Sequence, residues 1–223
     1  DASAAYKELS SNTSGLGILL DYSSVTMGRV SRSITLDRQD HFDGDNPAIG
    51  FIGAGNYASR ILIPAFKTAG AQFHTLVTAN GVNSVTHGKK GGFLKASTDV
   101  VGMLAESEVN TVVIATRHNT HSKYVIDSLN ANKNVWVEKP LAIDKDNLSL
   151  IKAAYSNAHG KDKGTAGPQL MVGFNRRFAP QVQKMHELLS SVMAPKSIII
   201  TVNAGFIPTD HWTQDPLVGG GRI

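Results

Sequence analysis

The chain has no cysteine among its 223 residues, which excludes both a disulfide framework and a thiolate metal site. It also lacks any apolar run of about 18 residues, so no membrane-spanning helix is predicted. Its charge is almost balanced, with 22 Lys and Arg against 18 Asp and Glu. So small a basic excess gives no reason to expect nucleic acid as a partner. Hydrophobic residues make up 41%, which is enough for a packed core, and we expect a cytoplasmic globular protein.

The most informative stretch is a short apolar strand, Ala48–Ile52, and the glycine-rich turn behind it. Gly53 permits the tight turn, Gly55 lets a pyrophosphate come close to the backbone, and Ala58 keeps the following helix near the strand. That helix, predicted over Tyr57–Ala69, directs its unpaired N–H groups and the positive end of its dipole at the phosphates. The residues predicted here to bind a dinucleotide are Gly53, Gly55, Asn56, Tyr57 and Ala58.

Strand and helix patterns alternate from Pro47 onward, and the apolar run Val112–Ala115 is typical of a strand buried on both faces. This alternation predicts an α/β fold, a Rossmann-type doubly wound parallel sheet with right-handed crossovers. The predicted strands are Ala48–Ile52, Phe73–Thr78, Phe93–Lys95, Thr111–Thr116, Asn134–Val137 and Leu170–Phe174. The predicted helices are Tyr57–Ala69, Asp99–Ala105, Thr120–Asn132, Lys145–Asn157 and Pro180–Ser191.

We divide the chain into three parts: 1–46, 47–174 and 175–223. The first is the tail of a preceding module plus a polar linker, and the second is the dinucleotide-binding domain. The third follows the α/β layer and opens a second sheet with a strand over Ser197–Asn203. Within the first part we predict a helix over Ala4–Ser10 and strands over Leu16–Tyr22 and Ser31–Leu36.

A polar segment follows the strand that ends at Thr116, and it reads Arg117-His118-Asn119-Thr120-His121. Ligands of open α/β sheets lie at the carboxyl ends of strands, so we expect these side chains to face the cofactor. Alternatively, Asn119 or Thr120 merely caps the next helix. His118 and His121 are spaced like metal ligands, but no carboxylate or cysteine completes a set, and no metal is predicted.

The next predicted strand ends in Val137-Glu138-Lys139-Pro140. A lysine at the carboxyl end of a strand, followed by a proline, is well placed beside a nicotinamide ring. There it could hydrogen-bond or polarise a substrate hydroxyl. The alternative is a solvated surface lysine, which most lysines are.

The glycine motif, the Ala115–His121 segment, Glu138-Lys139-Pro140 and the Gly173–Phe178 segment follow one another in an order that resembles the Gfo/Idh/MocA family. This family is named after glucose–fructose oxidoreductase, inositol dehydrogenase and a rhizopine-catabolism protein. The resemblance covers about residues 47–223. It implies a Rossmann domain followed by an α+β substrate domain with an open antiparallel sheet, of which residues 175–223 would be the incomplete start. It also implies NAD(P)-dependent oxidation or reduction of a sugar, inositol or nucleotide-sugar hydroxyl.

Carried onto this sequence, the resemblance implies that Lys139 is the active-site lysine. It places Arg176 near the substrate, with Arg177 equally plausible. Together with Arg117 from the strand-end argument, the cofactor-facing positions in this half are Thr116, Arg117, His118, Asn119, His121, Glu138 and Lys139.

The chain departs from the family pattern in two places. No acidic residue follows the second strand to bind the ribose hydroxyls. Asn80 could do so instead, and His87, Lys89 and Lys90 could meet a 2′-phosphate, so NAD and NADP both stay open. The family's proton-transferring Asp and His would fall beyond Ile223. We therefore expect the chain alone to be inactive, with its unpaired substrate-domain sheet available for homo-oligomer contacts.

Two further readings stay open. Residues 1–22 resemble the last helix and strand of a zinc-type medium-chain alcohol dehydrogenase, as in proteins that join such a module to a Gfo/Idh/MocA module. The function could also be glycoside cleavage by transient oxidation with bound NAD, or dinucleotide sensing without turnover.

Overall fold

The computed structural model describes residues 2–11, 31–37, 42–43, 46–160, 167–203 and 205–221. The chain divides into two compact units, Asp1–Arg32 and Ser33–Ile223. The first contains helix α1, Ala2–Ser11, which confirms the helix predicted over Ala4–Ser10. The strand predicted over Leu16–Tyr22 lies outside the described residues.

A seven-stranded sheet forms the centre of the second unit in the described part of the chain. Its strands are β1 Ser33–Thr35, β2 Ala48–Ile52, β3 Gln72–Val77, β4 Lys95–Ser97, β5 Thr111–Ile114, β6 Asn134–Val137 and β7 Leu170–Val172. Their spatial order is β1-β4-β3-β2-β5-β6-β7. Only β1 pairs antiparallel, with β4, and the other pairs are parallel. The chain reverses its direction of winding between β2 and β5, where doubly wound sheets bind ligands.

Helices cover both faces of this sheet. They are α2 Ile63–Thr68, α3 Gly81–Gly91, α4 Val100–Ala105, α5 His121–Asn130 and α6 Lys145–Ala158, whereas α7 Pro180–Leu189 has no buried residue. Strand β2 is buried at all five positions. Its Phe51 packs in one core cluster with Ile63 of α2, and its Ile52 packs in the other with Val125 of α5. Successive strand residues point to opposite faces, so the two clusters lie on opposite sides and confirm the doubly wound architecture.

The helix predicted over Tyr57–Ala69 is interrupted. A π-helical turn, Ala58–Leu62, precedes α2, and the N–H of Ile63 donates to the carbonyl of Ala58, five residues back. Pro64 explains the wider turn, since its ring would clash with the carbonyl four residues earlier in a regular α-helix.

Helix α3 is missing from the sequence prediction. Its composition hides it, because glycine, valine and threonine all lower helix propensity. The start signal was present, since the Asn80 side chain accepts a hydrogen bond of 2.9 Å from the N–H of Val82. The Asn80 side chain is thus used as a helix cap, and not as the free ribose ligand that the sequence analysis considers.

The strand predicted over Ser197–Asn203 is wrong. Residues 197–203 have no regular secondary structure and are exposed, with Ile199 93% accessible. A strand needs a partner for its main-chain groups, and none of the described residues pairs with this segment. The short strand predicted over Phe93–Lys95 forms two residues later, as β4. Strand β1 lies inside the stretch predicted over Ser31–Leu36 and extends the Rossmann sheet.

Candidate active site

A cavity of about 1190 Å³ opens at the carboxyl ends of the strands, across the point where the winding reverses. This volume exceeds the usual range for a single small ligand. The lining comes from the glycine-rich turn, from the ends of β3 and β4, and from the segments after β5, β6 and β7. Among the predicted site residues it includes Gly53, Gly55, Asn56, Tyr57, Ala58, Thr116, Arg117, His118, Asn119, His121, Glu138, Lys139 and Arg176.

The two glycines of the turn are required for different reasons. Gly53 has a φ of +99°, and a Cβ there would collide with the carbonyl oxygen of Ala115 in the segment after β5. A Cβ on Gly55 would meet no protein atom within 4 Å, although the residue lines the cavity. Protein packing therefore does not demand glycine at Gly55, whereas the close approach of a ligand would.

The end of the glycine-rich turn is tied to the segment after β7. Tyr57 is the N-cap of the π-helical turn and makes no side-chain capping bond. Its hydroxyl instead accepts a 3.0 Å hydrogen bond from Nδ2 of Asn175. The N–H groups of a first helical turn have no intrahelical acceptor, and here they lie at the cavity. This geometry suits a pyrophosphate.

The segment after β5 is held mainly by its own hydroxyl groups. Thr116 Oγ1 lies 2.7 Å from Thr120 Oγ1, and the latter donates to the carbonyl of Arg117 at 2.8 Å. Thr120 is the N-cap of α5 but makes no side-chain capping bond. Its hydroxyl thus shapes the cavity wall rather than capping the helix.

His118 fastens a distant part of the chain to the cavity. Its Nδ1 lies 2.7 Å from the carbonyl oxygen of Gly219, and its ring packs edge-on against Trp212 with 4.8 Å between centroids. The N–H of Asn119 donates to the carbonyl of Val218 at 3.0 Å. These contacts bring Trp212 into the lining of the cavity, a position that the sequence analysis does not predict. The sequence signal for its place at the cavity is limited to the run Asp210-His211-Trp212.

His121 is fully buried, and both of its ring nitrogens face main-chain carbonyls. Nδ1 lies 2.7 Å from the oxygen of Pro140, and Nε2 lies 3.1 Å from the oxygen of Thr116. Burial lowers the pKa of this imidazole, against the opposing effect of the two carbonyls. The ring nitrogens are thus directed at the protein rather than at a cofactor.

Glu138 and Lys139 follow β6 at the cavity. Oε2 of Glu138 accepts a 3.2 Å bond from the N–H of Lys139, whereas Oε1 is buried and has no hydrogen-bond partner among the described residues. Burial raises the pKa of Glu138, partly offset by the Lys139 charge. A buried acceptor on a cavity wall fits a ligand that brings a hydroxyl or amide donor.

The two candidate substrate-binding arginines, Arg176 and Arg177, differ in their position relative to the cavity. Both lie in a 3₁₀ segment, Asn175–Phe178, but only Arg176 lines the cavity. The guanidinium of Arg177 lies 4.7 Å from the centroid of the Phe178 ring.

At the far end of the cavity, beyond β3, the lining is Thr78, Ala79, Asn83 and Thr98, with no charged side chain. Asn80 is absent from the lining and caps α3. Lys89 and Lys90 lie in the last turn of α3, roughly 10 Å along the helix from Asn83. The structure thus gives no support to these two lysines as 2′-phosphate ligands.

Away from the cavity, one group within the described ranges has the residue types of a metal site: His74, Glu106 and Glu108. Two of these side chains are already paired with each other, since His74 Nε2 lies 3.2 Å from Glu108. The third, Glu106, pairs with Lys95 at 2.6 Å. With these pairings in place, we propose no metal there.

Residues 48–163, just over half of the chain, match the Gfo/Idh/MocA family, an oxidoreductase family with an NAD-binding Rossmann fold. The chain belongs to this family. The family resemblance and the α/β fold class are confirmed. The zinc-type module expected at residues 1–22 stays a prediction.

Curated Gfo/Idh/MocA relatives are distant. "Oxidoreductase P35" of Formosa agariphila is 26% identical over 181 residues, which are 77% of this chain and 54% of that protein. "Inositol 2-dehydrogenase 2" of Saccharopolyspora erythraea is 26% identical over 164 residues, 72% of this chain and 46% of that protein. The chain thus spans about half the length of the curated relatives it matches.

Solved structures agree on the fold. KijD10, a 3-ketoreductase from Actinomadura kijaniata in complex with NADP and TDP-benzene, superposes with a TM-score of 0.61 at 19% identity, over 79% of this chain and 53% of that one. GenD2 from gentamicin A biosynthesis, in complex with NAD, gives 0.57 at 23% identity, over 70% and 42%. In the described part of the chain, no helix combines the length and apolarity needed to cross a membrane.

Proposed function

We propose that this chain is the cofactor-binding part of an NAD(P)-dependent oxidoreductase acting on a sugar, inositol or nucleotide-sugar hydroxyl. The observation that carries the proposal is that Gly55 and Lys139 line one and the same cavity. The names of relatives support a carbohydrate-type substrate, since they include inositol 2-dehydrogenases and a 1,5-anhydro-D-fructose reductase. A cytoplasmic location, where both cofactors are available, fits this proposal.

The described residues fit a nicotinamide dinucleotide. The turn from Gly53 to Ala58 would hold the pyrophosphate, and Oε1 of Glu138 would accept a donor from the nicotinamide half. The bound cofactor supplies hydride transfer chemistry at C4 of its nicotinamide. Lys139 hydrogen-bonds the substrate oxygen and stabilises the negative charge that develops on it. Arg176 contacts the substrate on the side of β7.

Gly55→Val tests the cofactor assignment. The branched side chain would fill the space that a pyrophosphate must enter, so we expect NAD(H) and NADP(H) affinity to fall more than about 100-fold. The melting temperature should stay unchanged, because a Cβ at this position meets no protein atom within 4 Å.

Gly160→Val is the matched control, since Gly160 lies outside the cavity and its added Cβ would make only an ordinary 3.5 Å contact. Isothermal titration calorimetry with both variants gives the comparison. Equal affinities for wild type and Gly55→Val would refute the assignment.

A further inference from the structure

One buried side chain joins the two strand-end segments that carry the predicted nicotinamide-side residues. His121, at the start of α5, lies between the carbonyl of Thr116, after β5, and the carbonyl of Pro140, after β6. It is 0% exposed. Its neighbours along the cavity wall include Lys139, which immediately precedes Pro140.

The number of protons on the ring decides which contact is a hydrogen bond. A carbonyl oxygen only accepts, so each contact needs an N–H on the imidazole. Burial favours the neutral ring, which carries one N–H. The contact to Pro140 is 2.7 Å and the contact to Thr116 is 3.1 Å, so the shorter one takes the proton. The ring is then the Nδ1–H tautomer, with Nδ1 donating to Pro140.

The main chain around Lys139 has few other anchors. The N–H of Glu138 donates to the carbonyl of Ile114 at 2.9 Å, which ties the motif to β5. Among the described residues, the N–H of Lys139 donates to the Glu138 side chain alone, its immediate neighbour. Pro140, which follows Lys139, has no N–H to donate. Its carbonyl oxygen is therefore the main-chain group of Pro140 that can anchor the chain on the C-terminal side of Lys139.

We propose that His121 is a positioning residue, whose Nδ1–H holds the Pro140 carbonyl and thereby fixes Lys139 in the cavity. The purpose of this arrangement rests on the proposed function, since Lys139 matters only if a substrate oxygen lies beside it. A displacement of about 1 Å in such a group costs about 10²-fold in rate.

The first test needs no variant. Two-bond ¹H–¹⁵N correlation spectra of the wild-type chain at neutral pH report the tautomer of each histidine. We expect His121 to show a protonated Nδ1 and an unprotonated Nε2. An Nε2–H tautomer, or a doubly protonated ring, would overturn the proposal.

The second test exploits amide side chains that mimic one ring nitrogen each. In His121→Asn, Nδ2 lies near the position of Nδ1 and keeps the donor to Pro140, whereas in His121→Gln, Nε2 replaces the ring Nε2 that faces Thr116. Acetylation of Lys139 by an N-hydroxysuccinimide ester, read by mass spectrometry, reports its placement. Lys152, exposed on α6, is the internal control.

In the wild-type chain, saturating NAD⁺ or NADP⁺ should slow acetylation of Lys139 but not of Lys152. We expect His121→Asn to keep this protection and His121→Gln to lose it, with unchanged dinucleotide affinity in both. Protection in both variants, or equal loss in both, would overturn the proposal. Failure of the wild type to bind any dinucleotide would instead refute the proposed function, and the tautomer measurement would still decide the role of His121.

Discussion

At the scale of single residues, Glu138 is the group whose state should change most when cofactor binds. Its Oε1 is buried without a partner among the described residues, and burial raises the pKa of its carboxyl group. A donor hydrogen bond from the ligand stabilises the charged form and lowers that pKa again.

Cofactor binding should therefore release protons on the acidic side of neutrality. Calorimetric titration at one acidic pH in buffers of different ionisation enthalpy measures this release directly. We expect Glu138→Gln to abolish it, because the amide does not titrate. Proton uptake, or a release that survives in Glu138→Gln, would contradict the assignment.

Lys139 has a different role, since it lies exposed in the cavity rather than buried. In protein that turns over substrate, Lys139→Ala should slow hydride transfer by roughly 10²–10⁴-fold. Dinucleotide affinity should change little, because the proposed partner of Lys139 is the substrate. Stopped-flow measurement of reduced nicotinamide separates the two quantities. A collapse of dinucleotide affinity with an intact rate at saturation would make Lys139 a cofactor ligand instead.

At the scale of elements, we expect the turn between β3 and α3 to decide the preference between NAD and NADP. The lining there is Thr78, Ala79, Asn83 and Thr98, with neither a carboxylate to repel a 2′-phosphate nor a cation to bind it. We expect a preference for either cofactor below about 100-fold, or about 2.7 kcal/mol.

Ala79→Asp should shift the preference toward NAD, because it places a carboxylate at this end of the cavity. Lys90→Ala should leave it unchanged, since Lys90 lies in the last turn of α3. Dissociation constants for the two cofactors, measured side by side in each variant, decide the matter. A loss of NADP affinity in Lys90→Ala would show that α3 lies closer to the cofactor than the structure places it.

The sequence predicted elements well where hydrophobic pattern and turn chemistry agree. Strands β2 and β6 form with the predicted bounds, because each is a short apolar run between clear turn signals. Helix α3 is not predicted because its glycines lower the helix propensity of the segment. The π-helical turn is not predicted because the clash between the Pro64 ring and the preceding turn depends on three-dimensional crowding.

The candidate site likewise contains residues that the sequence predicts and residues that it does not. Residues carried by local motifs, such as Gly55 and Lys139, could be found from their spacing and do line the cavity. His118 and Trp212 are far apart in the chain but pack against each other. Asn175 and Tyr57 are also far apart but share a hydrogen bond. No local pattern encodes such pairings. The position of His121 between the carbonyls of Thr116 and Pro140 could not be predicted either, since these two groups come from separate segments, after β5 and after β6.

At the scale of the whole molecule, two buried histidines connect stability to pH. His74 is fully buried beside Glu108, with Lys95 and Glu106 nearby, and burial lowers the pKa of its imidazole. Burial also lowers the pKa of His121, which His118 and Lys139 face. Both rings therefore bind fewer protons in the folded state than in the unfolded state, where a histidine titrates near 6.5.

Stability from these histidines is present above pH 6.5 and is lost as the pH falls below it, with a slope of at most about 1.4 kcal/mol per pH unit for each ring. Glu138 acts in the opposite direction at lower pH, since its pKa is raised on folding.

Urea unfolding at pH 7.5, 6.5 and 5.5 should show a free energy of unfolding that declines toward pH 5.5. His74→Gln should have the shallower slope, because one titrating ring is gone. A free energy of unfolding that stays flat or rises over this interval, with the same slope in His74→Gln as in the wild type, would contradict the lowered pKa of His74 in the folded protein.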